Sequence, residues 1–229
     1  MVLSLRFVGI DLAWKVEPPV PDGTGYCVLD RSGRMIAWGL LTTDQEILDL
    51  IGDNDVWVGF DASLRIPDKA GLRSCERELS RRRISVLPTD RSFYQRHYGG
   101  CRGENLASIL DSKGFEYFGQ GSKAYFEVYP YALILEIARG DVPRFKRGRA
   151  RARAAEAERM LRLLIKWEPR LDISIEALIP KLEEKGTDDK VDALLCATSL
   201  YRHWLYSGRN SQVVGEGRDG YILLSVGEK

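Results

Sequence analysis

Acidic residues stand at the ends of several apolar segments of this chain, where carboxylates are unusual. Asp11, Asp61 and Glu127 each end an apolar run that is typical of a strand. Asp189 and Asp192 open a long apolar helix near the C-terminus. Because burying a carboxylate is costly unless a cation or hydrogen bonds compensate it, several such acids suggest a shared cation. Mg²⁺ takes its ligands from carboxylates and substrate phosphates, so the pattern indicates a metal-dependent enzyme that acts on phosphodiesters.

The acids of the late helix also have a simpler structural interpretation. Asp189 and Asp192 are three residues apart and therefore project from one face of the helix. Asp188 precedes an apolar helical run and suits an N-cap, which is worth about 1 kcal/mol. Asp189 gains from the helix dipole as well. Structural and metal-binding roles both stay open for Asp188 and Asp189, and Glu127 is open between a metal ligand, an acceptor beside the ligands and a general base.

The hydrophobic pattern predicts an α/β domain with a mixed sheet flanked by helices. Three opening strands pair antiparallel, and the later strands arrive by helical crossovers and lie parallel. The predicted strands cover 5–13, 25–30, 34–41, 55–61, 84–87 and 124–129. The predicted helices cover 71–83, 132–138, 150–167, 174–184 and 187–206, after a first helix capped by Thr43 or Asp44 and before a small hairpin around 219–220. Residues 89–103 are predicted to be irregular, and residues 104–118 mix helix and turn signals.

This topology would bring the acids together at one edge of the sheet. Asp11 ends the first strand and Asp61 ends the fourth, and these strands are predicted to be neighbours. A helix packed on the sheet would carry Asp189 and Asp192 to the same place. We expect one domain over residues 1–229, in which an arginine-rich loop and helix at about 140–167 form an insertion before the last acid-bearing helix.

Composition excludes several other classes of protein. The 229 residues are 44% hydrophobic and 29% charged, with a net charge of +1, as in ordinary globular domains. Four cysteines form no Cys-x-x-Cys pair and two histidines are too few for a zinc site, while Cys27 and Cys196 fall in apolar segments that suit core packing. Without a signal-peptide profile or an apolar run of about 18–20 residues, the sequence predicts a cytoplasmic location and no membrane span.

Two segments could contact nucleic acid. One is strongly basic and would attract a phosphate backbone, although such runs are also common as solvated faces. Its cations are Arg144, Lys146, Arg147, Arg149, Arg151 and Arg153. The other mixes Tyr94, His97, Tyr98 and Arg102, which could stack on unpaired bases or simply pack a loop. Nucleic acid is therefore the expected partner, and the oligomeric state is left open, a dimer included.

Five segments together resemble the domain-of-unknown-function family 429, usually described as predicted ribonuclease H-like nucleases. The matching segments cover 9–14, 59–64, 73–79, 127–130 and 188–197. They run from the first strand to the last long helix, so the resemblance extends over nearly the whole chain. Two details differ, because the family more often has proline at the position of Ser63 and aspartate at that of Glu76.

The resemblance implies a ribonuclease H-like fold with a mixed five-stranded sheet, a helical insertion and C-terminal additions. It also implies a nuclease with acids on the first strand, the fourth strand and a late helix, which hold Mg²⁺ or Mn²⁺ for two-metal catalysis. The catalytic residues would be Asp11, Asp61, Glu127, Asp189 and Asp192. All of these except Glu127 would be metal ligands, and Arg73, Glu76 and Asp188 would support them.

Two alternative functions stay open at this point. A nucleic-acid-binding or scaffold domain could keep the fold without turnover, although clustered acids facing phosphates would not help a pure binder. An actin-like nucleotide-dependent phosphotransferase shares the strand order and the first acid. That architecture needs two lobes and glycine-rich phosphate loops, for which residues 119–121 are a poor candidate.

Overall fold

A computed structural model of the chain describes residues 5–16, 23–68, 71–216 and 219–227. Its strands are β1 (Arg6–Asp11), β2 (Thr24–Leu29), β3 (Met35–Leu41), β4 (Val56–Asp61), β5 (Glu116–Tyr117), β6 (Lys123–Glu127), β7 (Ser211–Val214) and β8 (Ile222–Ser225). Its helices are α1 (Asp44–Ile51), α2 (Ser74–Arg81), α3 (Arg91–Tyr98), α4 (Arg102–Ser112), α5 (Pro130–Ala138), α6 (Ala150–Trp167), α7 (Ile175–Leu178) and α8 (Thr187–Leu205), with a 3-10 turn at Ile179–Lys181. Among the described helices, none combines the length and apolarity that crossing a membrane requires.

The central sheet is mixed and has the strand order β3-β2-β1-β4-β6-β5. β1, β2 and β3 pair antiparallel, whereas β4 lies parallel to β1 and β6 lies parallel to β4. These directions confirm the predicted hairpin and crossovers. The predicted count of five strands is wrong, because the two-residue β5 adds a sixth strand parallel to β6. β5 falls in a segment whose helix and turn signals hid so short a pairing.

Other predicted boundaries are corrected by local contacts. Residues 84–87 form no strand in the structure; Ile84 and Val86 pack instead against the apolar cluster beneath the β7–β8 hairpin. Residues 91–98, predicted to be irregular, form α3, whose N-terminus is capped by the Asp90 carboxylate. The predicted helix over 174–184 is divided into α7 and the 3-10 turn, where Pro180 cannot donate a backbone hydrogen bond.

Two helix N-termini test the capping predictions. Thr43, one of the two predicted candidates, caps α1, and its side chain and that of Glu46 form a reciprocal capping box. α8 is different, because Gly186 occupies its N-cap and Thr187 is already helical. The Thr187 hydroxyl donates to carbonyl oxygens of the preceding turn. Neither Thr187 nor Asp188 caps the helix.

Alternating side chains of the strands pack into two hydrophobic cores, one on each face of the sheet. Phe7, Cys27 and Trp57 pack with α5, α6 and α8, and Cys196 lies in the same core, which confirms the packing role predicted for both cysteines. Val8 and Val58, one residue along, pack with α1 and α4 on the other face. A third cluster joins α2 to the β7–β8 hairpin. The sheet is therefore covered on both sides, as its apolar central strands require.

Two glycines let α8 lie directly on the sheet. A Cβ at Gly9 of β1 would be 1.9 Å from the carbonyl oxygen of Ala193, and one at Gly25 of β2 would be 2.1 Å from that of Asp189. Both contacts are with the backbone of α8, which, unlike a side chain, cannot adopt another rotamer to make room. The close approach places the first turns of α8 beside the ends of β1 and β4.

Substituting Gly9 tests this contact. We expect Gly9→Ala to lower the free energy of unfolding in urea by about 1–3 kcal/mol or more, because α8 must move off the sheet. The same shift should weaken Mn²⁺ binding measured by calorimetry. Gly121→Ala is the control, since a Cβ there would meet only the Glu116 Oε2 atom at 3.8 Å. Equal stability of the two variants would contradict the close packing of α8.

Candidate metal centre

Three carboxylates from three elements meet at the ends of β1 and β4. Asp11 and Asp61 are the last residues of these parallel neighbours and stand opposite each other in register. Asp192, on the second turn of α8, completes the group, and one oxygen atom from each of the three residues lies within 4.8 Å of the others. Asp192 is fully buried, and the other two side chains are partly buried. The convergence predicted for Asp11, Asp61 and the late helix is thus present.

The electrostatics of this acidic cluster disfavour three ionised carboxylates without compensating charge. Burial, followed by the charges of Asp61 and Asp192, raises the pKa of Asp11 well above its usual range. Burial and then Asp192 raise the pKa of Asp61 to about 7. Burial also raises the pKa of Asp192, although the neighbouring Lys146 opposes it. Three carboxylates in a shared low-dielectric site repel one another, so their ionised forms are stable together only with compensating charge.

Lys146 supplies part of that compensation. Its ammonium group forms an ion pair with the Oδ2 atom of Asp192, and burial, which alone would lower the pKa of Lys146, is outweighed by Asp192, Asp11 and Asp61, which raise it. Apart from this charge contact, neither buried oxygen of Asp192 has a hydrogen-bond donor among the described residues. The Asp192 carboxylate is buried beside two further carboxylates, and its Oδ1 atom has no hydrogen-bond donor among the described residues, which fits a hard divalent cation such as Mg²⁺ or Mn²⁺.

Two more acids lie near the cluster but outside it. Asp188 and Asp189 are partly exposed on the first turn of α8. The charge of Asp189 contributes to the raised pKa of Asp11, and the charge of Asp188 contributes to that of Asp192. Among the described residues, the three-acid group contains neither of them. A direct ligand role for Asp189 therefore stays a prediction.

Glu127 is held by a buried ionic network. Both of its oxygens accept from the Arg73 guanidinium, one of them from Nη1 at 2.9 Å, and Oε2 also accepts from the backbone N–H of Leu64 at 3.1 Å. Arg73 Nε donates to Glu76 at 2.7 Å, and the Thr89 hydroxyl donates to the same carboxylate. Burial raises the pKa of Glu127 while Arg73 opposes the shift. Because Leu64 follows Asp61 by three residues, this network holds the turn that follows Asp61.

The structure therefore places the predicted Arg73 and Glu76 next to Glu127, and their described side-chain hydrogen bonds do not reach the three carboxylates of the acidic cluster. Glu127 lies on β6, next to β4, and its charge contributes to the raised pKa of Asp61. Its carboxylate is already engaged by Arg73. The arrangement makes Glu127 a support for the turn after Asp61, and a catalytic role for Glu127 stays a prediction.

The predicted basic segment lies in the loop before α6 and in the first turn of that helix. Lys146 alone among its cations contacts the acidic cluster, a contact that the sequence did not indicate because 46 positions separate it from Asp192. The remaining cations point outward to different degrees: Arg144, Arg147, Arg149 and Arg151 are exposed and Arg153 is half-buried. The first turn of α6 carries no acid, so these positive charges oppose the helix dipole.

The residues of the second segment predicted to contact nucleic acid lie in two different environments. Tyr94 and Tyr98 of α3 pack edge-on against Trp14, with ring centroids 5.7 and 5.1 Å apart. Arg102 is buried, and its guanidinium donates to Asp44 at 2.7 Å and to the carbonyl oxygen of Ala13 at 2.8 Å. Arg102 thus ties the segment after β1 to α1 and is not available to stack on bases.

The raised pKa of Asp61 gives a test that needs no activity. The pKa of Asp61 is about 7 in the folded protein and 3.8 in a fully exposed aspartate, which represents the unfolded chain. Its burial therefore costs no stability below about pH 4, and the cost grows as the pH rises to about 7. In EDTA we expect the urea-unfolding free energy of Asp61→Asn relative to that of the wild type to be lowest near pH 4 and to increase by a few kcal/mol between pH 4 and pH 8. Mn²⁺ should remove the difference by stabilising the wild type.

Asp68→Asn is the matched control for this pH dependence. The Asp68 side chain is 99% exposed and forms only a long, 3.6 Å contact with a partly exposed arginine, so Asp68→Asn should change stability little. An Asp61→Asn variant that follows the wild type at both pH values would show that the three carboxylates do not repel one another.

The fold and this cluster define an α/β protein with a candidate carboxylate metal centre at the ends of two parallel strands. A family model described as "Protein of unknown function (DUF429)" matches residues 9–215. The chain therefore belongs to that family, as the resemblance of its motifs predicted. Searches of curated proteins and of solved structures find no match.

Proposed function

We propose that this protein is a divalent-metal-dependent nuclease or related phosphodiester hydrolase with a ribonuclease H-like fold. The observation that carries the proposal is the convergence of the Asp11, Asp61 and Asp192 carboxylates, of which Asp192 is fully buried. The mixed sheet, in which an antiparallel β-meander is followed by parallel strands, supports the fold assignment. Carboxylate-only ligand sets are typical of Mg²⁺ and Mn²⁺ enzymes that act on phosphates.

The residues of the acidic cluster and their neighbours would have different roles in the proposed activity. Asp11, Asp61 and Asp192 would hold the ion, and Asp189 would assist from the first turn of α8. The chemistry that the ion supplies when bound is Lewis-acid activation of the phosphodiester and of water. A second ion, as two-metal catalysis requires, would need ligands beyond the three-acid group. Lys146, which pairs with Asp192 here, is placed to contact the phosphate that approaches these acids.

The basic segment supports a nucleic-acid substrate. Its exposed arginines sit at the N-terminus of α6, where cations are unfavourable unless an anion lies close by. Arg147, Arg149 and Arg151 form no ion pair with the acids that the structure describes. A phosphate backbone would satisfy both the arginines and the helix dipole. Binding should weaken with rising salt, because these contacts release counterions.

A cytoplasmic location is part of the proposal. All four cysteines are free and buried, and Cys27 and Cys196 lie deep in the core. Disulfide-free cysteines are usual in a reducing compartment.

The decisive experiment separates turnover from binding. Purified protein is incubated with single-stranded DNA, duplex DNA, RNA and branched DNA in Mg²⁺ or Mn²⁺, with EDTA as the control. We expect cleavage of at least one substrate, lost in EDTA and restored by excess Mn²⁺. Calorimetric Mn²⁺ binding without any cleavage would contradict a nuclease. Salt-sensitive nucleic-acid binding that persists in EDTA and in Asp11→Asn would favour the non-catalytic binding domain instead.

A further inference from the structure

A cavity of about 260 Å³ opens beside the acidic cluster and shares Asp61 with it. Its walls combine apolar and aromatic side chains with a buried polar floor. Trp14, Leu87 and Tyr94 contribute to the walls, and Arg73 and Glu127 contribute to the floor. The volume lies just below the range of about 300–1,000 Å³ that is usual for drug-sized ligands, so it suits one ring system.

The charges that line this cavity are already neutralised. Arg73 is engaged by Glu76 and Glu127, and Arg102 is engaged by Asp44 and by the Ala13 carbonyl oxygen. Neither guanidinium can therefore serve as a phosphate receptor. A phosphate would go to the metal centre and Lys146, and the cavity would take an uncharged group attached to it.

The walls favour a flat group. Trp14 is 38% exposed and Leu87 is 72% exposed, although both side chains line the cavity. The rings of Trp14 and Tyr94 contact each other, and exposed aromatic faces of this kind stack nucleobases with little regard to sequence. Exposed apolar side chains that are brought together beside a candidate active site indicate a ligand surface.

A hydroxyl chain supplies hydrogen-bonding groups inside the cavity. Thr89 donates its hydroxyl hydrogen to Glu76, so Ser63, whose Oγ lies 2.9 Å from Thr89 Oγ1, is the donor in that second bond. Ser63 and Tyr94 both line the cavity. Ser63 and Tyr94 therefore present hydroxyl oxygens that can accept from an N–H group on the edge of a ligand, and every nucleobase carries such a group.

We propose that this cavity binds one unpaired nucleobase of a single strand whose phosphate lies at the acidic cluster. The inference rests on the proposed function and narrows it to a substrate with unstacked bases. A duplex cannot enter a cavity of this size without extruding a nucleotide. Single-stranded nucleic acid is therefore the substrate class that the geometry points to.

The test compares strands that differ only in their bases. Fluorescence anisotropy in Ca²⁺ buffer measures binding of labelled hexathymidylate and of a hexa-abasic strand with the same number of phosphates. We expect the wild type to bind the base-bearing strand about tenfold or more tightly than the abasic strand. Trp14→Leu should remove most of that preference and leave abasic binding unchanged. Tyr94→Leu should act in the same direction.

Tyr131→Leu is the control, because Tyr131 is also 38% exposed but does not line the cavity. The Mn²⁺ affinity of Trp14→Leu should match the wild type, and the variant should remain folded at the assay temperature although it loses the ring contacts with Tyr94 and Tyr98. The proposed nucleobase site would be contradicted if the wild type bound both strands equally or bound neither. It would also be contradicted if Trp14→Leu lost affinity for both strands equally, or if a duplex bound more tightly than a single strand. Metal-dependent cleavage that does not depend on the bases would support the nuclease activity and contradict the nucleobase-binding cavity. Base-dependent binding without cleavage would support the nucleobase-binding cavity and contradict the nuclease activity.

Discussion

Replacing Asp192 by asparagine should weaken Mn²⁺ binding about 100-fold or more and abolish metal-dependent cleavage. Even groups that only orient a metal ligand change affinity 10–100-fold, and Asp192 would be a ligand itself. Its carboxylate is buried, and Lys146 is its one ionic contact among the described residues, so asparagine removes a charged metal ligand that no neighbouring side chain replaces. Calorimetric titration of Mn²⁺ measures the affinity, and cleavage of the best substrate measures the activity.

Asp188→Asn is the matched control for this experiment. Asp188 lies one turn earlier on α8, carries the same charge and is partly exposed, but it is outside the three-acid group. Its long-range attraction for the ion is screened, and we expect less than about a fivefold change in affinity. Asp192→Asn should not unfold the protein, because it removes one of three repelling charges. Similar Mn²⁺ affinities of the two variants would place the metal elsewhere.

The sheet and the acids at its strand ends could be predicted because their signals are local. β1 and β4 are apolar runs that end in aspartate, and parallel neighbours joined by a crossover bring those ends together. α8 has a long apolar pattern that allowed its length and its packing on the sheet to be anticipated. The meeting of Asp11, Asp61 and Asp192 follows from these three elements alone.

Other parts of the site depend on contacts that no local pattern encodes. α3 buries none of its residues, so it has no apolar periodicity to reveal a helix. Lys146 contacts Asp192 from a distant loop, and its neighbours in sequence suggested only a basic surface. The sequence left Glu127 open between three roles, and only the folded positions of Arg73 and Leu64 show that its oxygens are occupied.

The buried network beneath the site should be the most sensitive point for stability. Arg73 is 2% exposed and bridges Glu76 and Glu127, which are equally buried. Arg73→Met keeps the length of the side chain but leaves two buried carboxylates without a cation. We expect a loss of about 3–5 kcal/mol in the free energy of unfolding, measured in urea at neutral pH. Arg73→Lys should lose part of this amount, because an ammonium group cannot form the two-pronged contact with Glu127.

The double variant Arg73→Met/Glu127→Gln separates uncompensated charge from lost packing. If the cost arises from a buried unpaired carboxylate, neutralising Glu127 should recover a measurable part of it, which appears as coupling between the two substitutions. Arg82→Met, at the end of the same helix, is the control. Arg82 and its partner Glu78 are each 38% exposed, so their ion pair should contribute less than about 1 kcal/mol. An Arg73→Met variant no less stable than Arg82→Met would mean that Glu127 does not depend on Arg73. The turn after Asp61 would then be held by other contacts, and the support for the metal centre would have to be sought in the packing of β4 and α8.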